Sequence, residues 1–173
     1  MKIVKKVTIA APAADVWKVL GDEFVTADLW MAGIKNSNEI TEGQRVKNAP
    51  VIGRRAEVGA FPGSYLDEII TKYNPQTTSL TVQTTLVNKP KGTPLKGYNT
   101  EMIVRALGDN KSEMIWSSDV QIGLMGFPFY FAIKKNSSAG FLRNIEELKH
   151  FVETGKPNQH RLDTRALWSE DAK

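Results

Sequence analysis

The stretch FPFYFAIKKNSSAGFLRNIEELKHFVET, residues 127–154, decides the fold. Within it Phe141, Ile145, Leu148 and Val152 recur at steps of four, three and four, which aligns them on one face of a helix. Arg143, Glu146, Glu147 and Lys149 fall mostly on the other face. Pro128 suits the first turn, where a missing N–H costs nothing, and Gly155-Lys156-Pro157 is a stop signal. The pattern predicts one long amphipathic helix near the end of the chain. Most of what lies upstream reads as strand. An antiparallel sheet needs one face covered and a long helix needs something to lie on, so each supplies the burial the other lacks.

Upstream, Ile3, Lys5, Val7 and Ile9 alternate with Val4, Lys6 and Thr8 as a first strand with its odd positions inward. The period then changes. Ala11-Pro12-Ala13-Ala14-Asp15 opens a helix whose apolar face is Val16, Trp17 and Leu20, ended by Gly21-Asp22, and a second short helix spans about Glu23 to Met31. Six further strands are predicted, at about 37–41, 53–60, 65–73, 79–87, 99–107 and 112–122. They are separated by turn signals such as Phe61-Pro62-Gly63 and Gly108-Asp109-Asn110 and by a long Pro- and Gly-containing loop, Asn88 to Gly97. Leu80, Val82, Thr84 and Leu86 share one face of their strand while Thr81, Gln83 and Thr85 face the other way, so one side is wet and one buried. The expected architecture is α+β: a seven-stranded curved antiparallel sheet around a long C-terminal helix, with two short helices after the first strand.

The chain's 173 residues suit one domain, predicted over 1–155, followed by a tail over 156–173 that is partly disordered or packed on the surface. Lys and Arg number 23 against 19 Asp and Glu, and the basic residues are scattered along the chain. Phosphate binding needs them clustered, so no nucleic-acid partner is expected. The absence of cysteine excludes disulfides, thiol nucleophiles and thiolate metal sites. The two histidines, His150 and His160, make no pair at metal-ligand spacing and no serine triad, so neither a metal nor a cofactor is expected. The N-terminus lacks the pattern of a signal peptide, and the apolar run Ile122 to Ile133 is far short of the roughly 20 residues a bilayer span requires. A cytoplasmic protein is the expectation.

Several phrases then carry a resemblance. Ile9-Ala10-Ala11-Pro12-Ala13-Ala14-Asp15-Val16-Trp17, Glu68-Ile69-Ile70-Thr71-Lys72-Tyr73-Asn74-Pro75 and Phe141 to Lys149 resemble the opening, mid-sheet and closing phrases of the START-like or SRPBCC superfamily. This is the helix-grip fold of Bet v 1, the START lipid-transfer domains and the polyketide cyclase/dehydrase-like proteins. The resemblance implies an apolar cavity between sheet and helix that takes a small hydrophobic ligand: a lipid, sterol, quinone or polyketide. It implies a wall of Met31, Leu66, Glu68, Val82, Thr84, Tyr98, Thr100 and Met102, with Ile133, Ser137, Gly140, Phe141 and Asn144 from the helix. On the last strand Trp116 and Val120 argue for one inward face and Ser117 and Asp119 for the other.

Two other functions stay open. One is a cyclase or dehydratase using the same cavity, with Glu68 or Asp119 as acid or base, since a carboxylate facing an apolar cavity is perturbed toward such a role. The other is a protein-interaction module with a collapsed core. Glu68 has a bland reading, a strand residue at the surface or paired with a nearby Lys or Arg. Of Arg54 and Arg55 at most one can point inward, and a solvated salt bridge is the expectation. Leu124 to Phe131 is read as a plug for the open end of the sheet, or else as a ligand portal or a patch for transient membrane or protein contact. The small residues Asn136 to Gly140 suit close helix-to-sheet packing or room for a ligand.

Overall fold

The computed structural model describes residues 1–170. Seven strands form one antiparallel sheet: β1 (Lys2–Ile9), β2 (Ile34–Ile40), β3 (Gly53–Val58), β4 (Tyr65–Asn74), β5 (Ser79–Val87), β6 (Leu95–Gly108) and β7 (Lys111–Ile122). Their order across the sheet is β1-β7-β6-β5-β4-β3-β2. Strands two to seven therefore form a simple meander, and the first strand joins its far edge beside the last. Only β1 to β2 must cross the sheet. The crossing is made by α1 (Ala13–Trp17), a π turn over Lys18–Asp22 and a 3-10 turn over Phe24–Leu29, which replace the two regular helices expected there. Val16, Trp17, Leu20, Phe24 and Ala27 from this crossing are buried in the core.

The closing helix α2 (Tyr130–Thr154) starts three residues later than the sequence suggests, because Leu124–Phe129, with Pro128 inside it, forms a 3-10 turn first. It ends where the stop signal predicts. Gly155 adopts φ 70°, a left-handed conformation, and its N–H caps the Phe151 carbonyl at 2.8 Å. Phe141, Ile145 and Leu148 are buried, and full burial of each such side chain contributes about 1.5–3 kcal/mol. Glu147 departs from the expected polar face. It is buried because its carboxylate accepts the Ala32 N–H at 2.8 Å and pairs with His160 Nδ1 at 2.8 Å.

His160 belongs to a third helix, α3 (Gln159–Glu170), in the segment read from sequence as a tail. Arg161, also buried, donates from Nε to the Asp28 carbonyl at 3.0 Å, and its guanidinium lies over the Trp168 ring, 5.3 Å from the centroid. This helix is thus tied both to the crossing segment and to α2.

Inward positions alternate along the strands except where the register shifts, as between Ile70 and Lys72 of β4, and one close approach fixes the β3–β4 pair. A Cβ added at Gly53 would lie 2.2 Å from the Glu68 backbone oxygen. Neither backbone can yield without breaking the ladder. Gly53→Ala is therefore expected to destabilise the protein by about 1–3 kcal/mol, read as a lower urea midpoint at unchanged m. Gly33→Ala, where a Cβ meets nothing within 4 Å, is the control and leaves the midpoint in place.

Candidate ligand-binding site

A row of inward-facing residues crosses the sheet from β3 to β7. In register these are Arg54, Glu68, Thr84, Tyr98 and Val120. The row begins with a charge pair, since Arg54 Nε donates to Glu68 Oε2 at 2.5 Å and both side chains are buried. Arg54 Nη1 also donates to the Phe24 carbonyl at 2.6 Å, and its guanidinium stacks 4.2 Å over the Phe24 ring. The solvated bridge expected for the two arginines describes only Arg55, which is exposed and paired with Asp67. Thr84 Oγ1 donates to Glu68 Oε1 at 3.4 Å. Tyr98 follows, its phenol held in the neutral form first by burial and then by the negative charge of Glu68.

At the Tyr98 end of the row the sheet and α2 part. Between them lies an open-sided cavity of about 180 Å³ lined by Leu95, Tyr98, Val120, Ser137, Gly140, Phe141 and Asn144. Aromatic contacts form its floor: Tyr98 meets Phe141 edge-on with centroids 5.5 Å apart, and Trp116 lies 6.2 Å from Phe141 on its far side. Behind them Trp116 Nε1 donates to Ser118 Oγ at 3.0 Å, and Ser118 and Thr100 share a hydrogen bond of 2.8 Å. Those polar groups are satisfied among themselves, so the surface left to the cavity is chiefly apolar.

The residues predicted for the wall therefore divide. Tyr98, Ser137, Gly140, Phe141 and Asn144 border the cavity. Met31, Glu68, Val82, Thr84, Thr100, Met102 and Trp116 are buried in the interior without bordering it, and Leu66 packs against the core. Ile133 sits outside it, where its Cδ1 would lie 3.4 Å from a Cβ added at Gly126. Leu95 is hidden in the sequence because the Pro and Gly content predicts a loop from Asn88 to Gly97, whereas β6 starts at Leu95. Val120 was legible from its parity with Trp116.

Asp119 is a correction. Alternation along β7 turns Trp116, Ser118 and Val120 inward and Asp119 outward, where it is exposed and pairs with the Met1 amino group at 2.9 Å. It cannot act on a molecule in the cavity. The plug reading of residues 124–131 also fails: Leu124, Phe127, Phe129 and Phe131 are all exposed. Close packing of the small residues fails at Gly140, where an added Cβ would meet nothing within 4 Å. A second, more polar groove of about 250 Å³ shares Gly140 and Asn144 with the cavity and continues over Arg143, Glu147 and His160 toward α3. Among the described residues no cluster of three or more His, Asp or Glu side chains is arranged to hold a metal ion.

With this geometry in view, the relatives are informative. The family described as polyketide cyclase / dehydrase and lipid transport matches residues 1–153, and the chain belongs to it. A START superfamily protein from Mycobacterium smegmatis superposes with a TM-score of 0.68 at 17% identity, over 88% of this chain and 97% of that one. Truncated norcoclaurine synthase from Thalictrum flavum gives 0.63 at 15% identity, over 89% and 94%. The same plant enzyme in complex with dopamine and hydroxybenzaldehyde gives 0.61 at 14% identity, over 91% and 89%. At these identities the likeness establishes the helix-grip fold alone. Comparison with curated proteins finds no match.

The Arg54–Glu68 pair makes a sharp prediction. Removing one partner strands a buried charge, so Glu68→Gln or Arg54→Leu is expected to cost about 3–5 kcal/mol in urea unfolding. The double replacement Arg54→Leu with Glu68→Leu should recover most of that loss. Additive losses in the double variant would show that the two side chains do not act as a pair.

Proposed function

We propose that this protein binds a small, mostly apolar molecule in the cavity between the sheet and α2. The observation that carries the reading is Gly140. Glycine inside a helix costs about 1 kcal/mol relative to alanine, and here no neighbour requires it, because the position opens onto empty space. A residue that weakens its helix without a packing reason is best understood as keeping room for something else.

The cavity's size narrows the ligand. An apolar cavity of about 150 Å³ is known to accept benzene, so about 180 Å³ accommodates one aromatic ring or a short alkyl chain. A larger lipid, sterol, quinone or polyketide would seat only its terminal ring or chain end there, with the remainder directed along the groove past Asn144. Enclosure by Leu95, Val120 and Phe141 would supply affinity. Ser137, Asn144 and the neutral phenol of Tyr98 would orient any polar substituent.

Acid-base catalysis fits less well. Glu68, the remaining carboxylate candidate, is held by Arg54 and Thr84 and does not border the cavity. Binding without chemistry is the simpler account.

The test is native mass spectrometry of the purified protein with extraction of anything released, followed by calorimetric titration with phenol, a single-ring probe. Saturable uptake by the wild type is expected. Gly140→Leu should abolish uptake while keeping or raising the melting temperature, because it fills the cavity and removes a helix glycine. Undiminished uptake by that variant would place the ligand elsewhere. No uptake by the wild type, with nothing extracted, would favour the interaction-module reading.

A further inference from the structure

We infer that the end of the molecule built from the 3-10 turn, the start of α2 and the β5–β6 loop docks onto an anionic lipid surface. The turn projects Leu124, Phe127 and Phe129 and the first turn of α2 adds Phe131; they are 86%, 64%, 63% and 84% exposed. Isolated apolar side chains on a surface need no explanation, but four within eight residues form a patch. The two glycines flanking the turn's start brace it against the neighbouring loop: the Gly123 N–H donates to the Pro94 carbonyl at 2.8 Å, and a Cβ at Gly126 would lie 2.8 Å from Pro94 Cβ. The patch is thus displayed on a supported turn beside residues 88–96.

Charge decides what it displays itself to. Residues 88–96 and 120–135 contain five lysines and no acidic residue. Lys89, Lys91 and Lys96 lie in the braced loop and at the start of β6, and Lys134 and Lys135 on the first turns of α2; all five are exposed. Asp119, at the end of β7, is the nearest acidic side chain in sequence and already has a cationic partner. An aromatic tip with exposed lysines in the adjoining loop and helix matches an interface in which apolar groups enter the acyl boundary while ammonium groups meet anionic head groups. It matches a protein partner less well, since lysine is depleted at the centres of protein interfaces. A second copy is disfavoured more strongly, because a two-fold contact would set the same lysines against each other. Among the described residues no helix is long and apolar enough to cross a membrane, so the contact is peripheral. This inference stands whether or not the cavity holds a ligand.

The experiment is cosedimentation of the full chain with vesicles of phosphatidylcholine alone and of phosphatidylcholine mixed with phosphatidylglycerol. Binding to the mixed vesicles, and little to the neutral ones, is expected. Each lysine near an anionic surface is worth about fivefold in partition, so Lys134→Gln with Lys135→Gln should weaken binding about 25-fold. Leu124→Ser with Phe131→Ser should weaken it at least about tenfold. Because all four side chains are exposed, melting temperatures should stay at the wild-type value. Three results would overturn the inference: no binding to mixed vesicles, binding that both double variants retain, or a dimer in light scattering that Leu124→Ser with Phe131→Ser dissociates in place of any vesicle binding.

Discussion

A seven-stranded sheet presents more inner surface than one helix can cover, and the rest of this structure follows from how that surplus is handled. The 25 residues of α2 lie closest to β1. The crossing segment fills the space under β2 and β3 with Phe24, Ala27 and Trp30. Between these two fillings α1 and the π turn cover part of the sheet's inner face with Val16, Trp17 and Leu20, and a gap remains. Part of the gap is taken by the Arg54–Glu68 pair, part by Trp116 and Phe141, and the remainder is the cavity at Gly140. Site and core are therefore one packing problem, and the cavity is what this sequence leaves unfilled.

The polar part of that filling is placed with care. A buried ion pair rarely adds stability over well-packed apolar residues, but losing half of one is severe. Here the pair has additional partners in the Phe24 carbonyl and Thr84, so its charges are met by hydrogen bonds as well as by each other. Arg54 also joins the sheet to the crossing segment, as does Tyr73, whose hydroxyl donates to Asp22 at 2.6 Å. Burial and then that carboxylate hold the Tyr73 phenol in its neutral form above the ordinary tyrosine range. Glu147 plays a similar part on the other side, joining α2 to Ala32 and to His160 of α3. With the Arg161 guanidinium on the Asp28 carbonyl, four polar anchors thus hold the segment that, among the described residues, crosses the sheet.

Much of the fold was legible in the sequence, for a physical reason. Alternation in β1 and β5 and the spacing of Phe141, Ile145 and Leu148 are local patterns imposed by one buried face, and local patterns survive in sequence. What was not legible depends on partners distant along the chain. Glu147 looks like a surface residue until residue 32 and residue 160 are known to lie over it. Arg54 and Arg55 are equivalent by composition, and only the register with β4 separates the buried one from the exposed one. Asp119 was separable from Val120 by parity alone, but the mixed signals of Ser117 and Trp116 obscured it. Cavities are harder still, because an absence of atoms leaves no pattern; glycine in mid-helix was the one visible trace.

The order of the strands has a consequence for how the molecule meets its own copies. Because the first two strands occupy opposite margins, the sheet keeps two unpaired edges. Open edges are templates for polymerisation, and each is guarded by different means. Along β1 the guards are Lys2, Lys5 and Lys6, with α2 lying over the same margin. Along β2 an extra residue between Ile34 and Ser37 forms a bulge that interrupts the ladder, and Lys35 and Glu39 place charge beside it. An approaching strand would find lysines at one margin and a broken hydrogen-bond register at the other. The sheet can thus stay open at both margins without the chain becoming adhesive to itself.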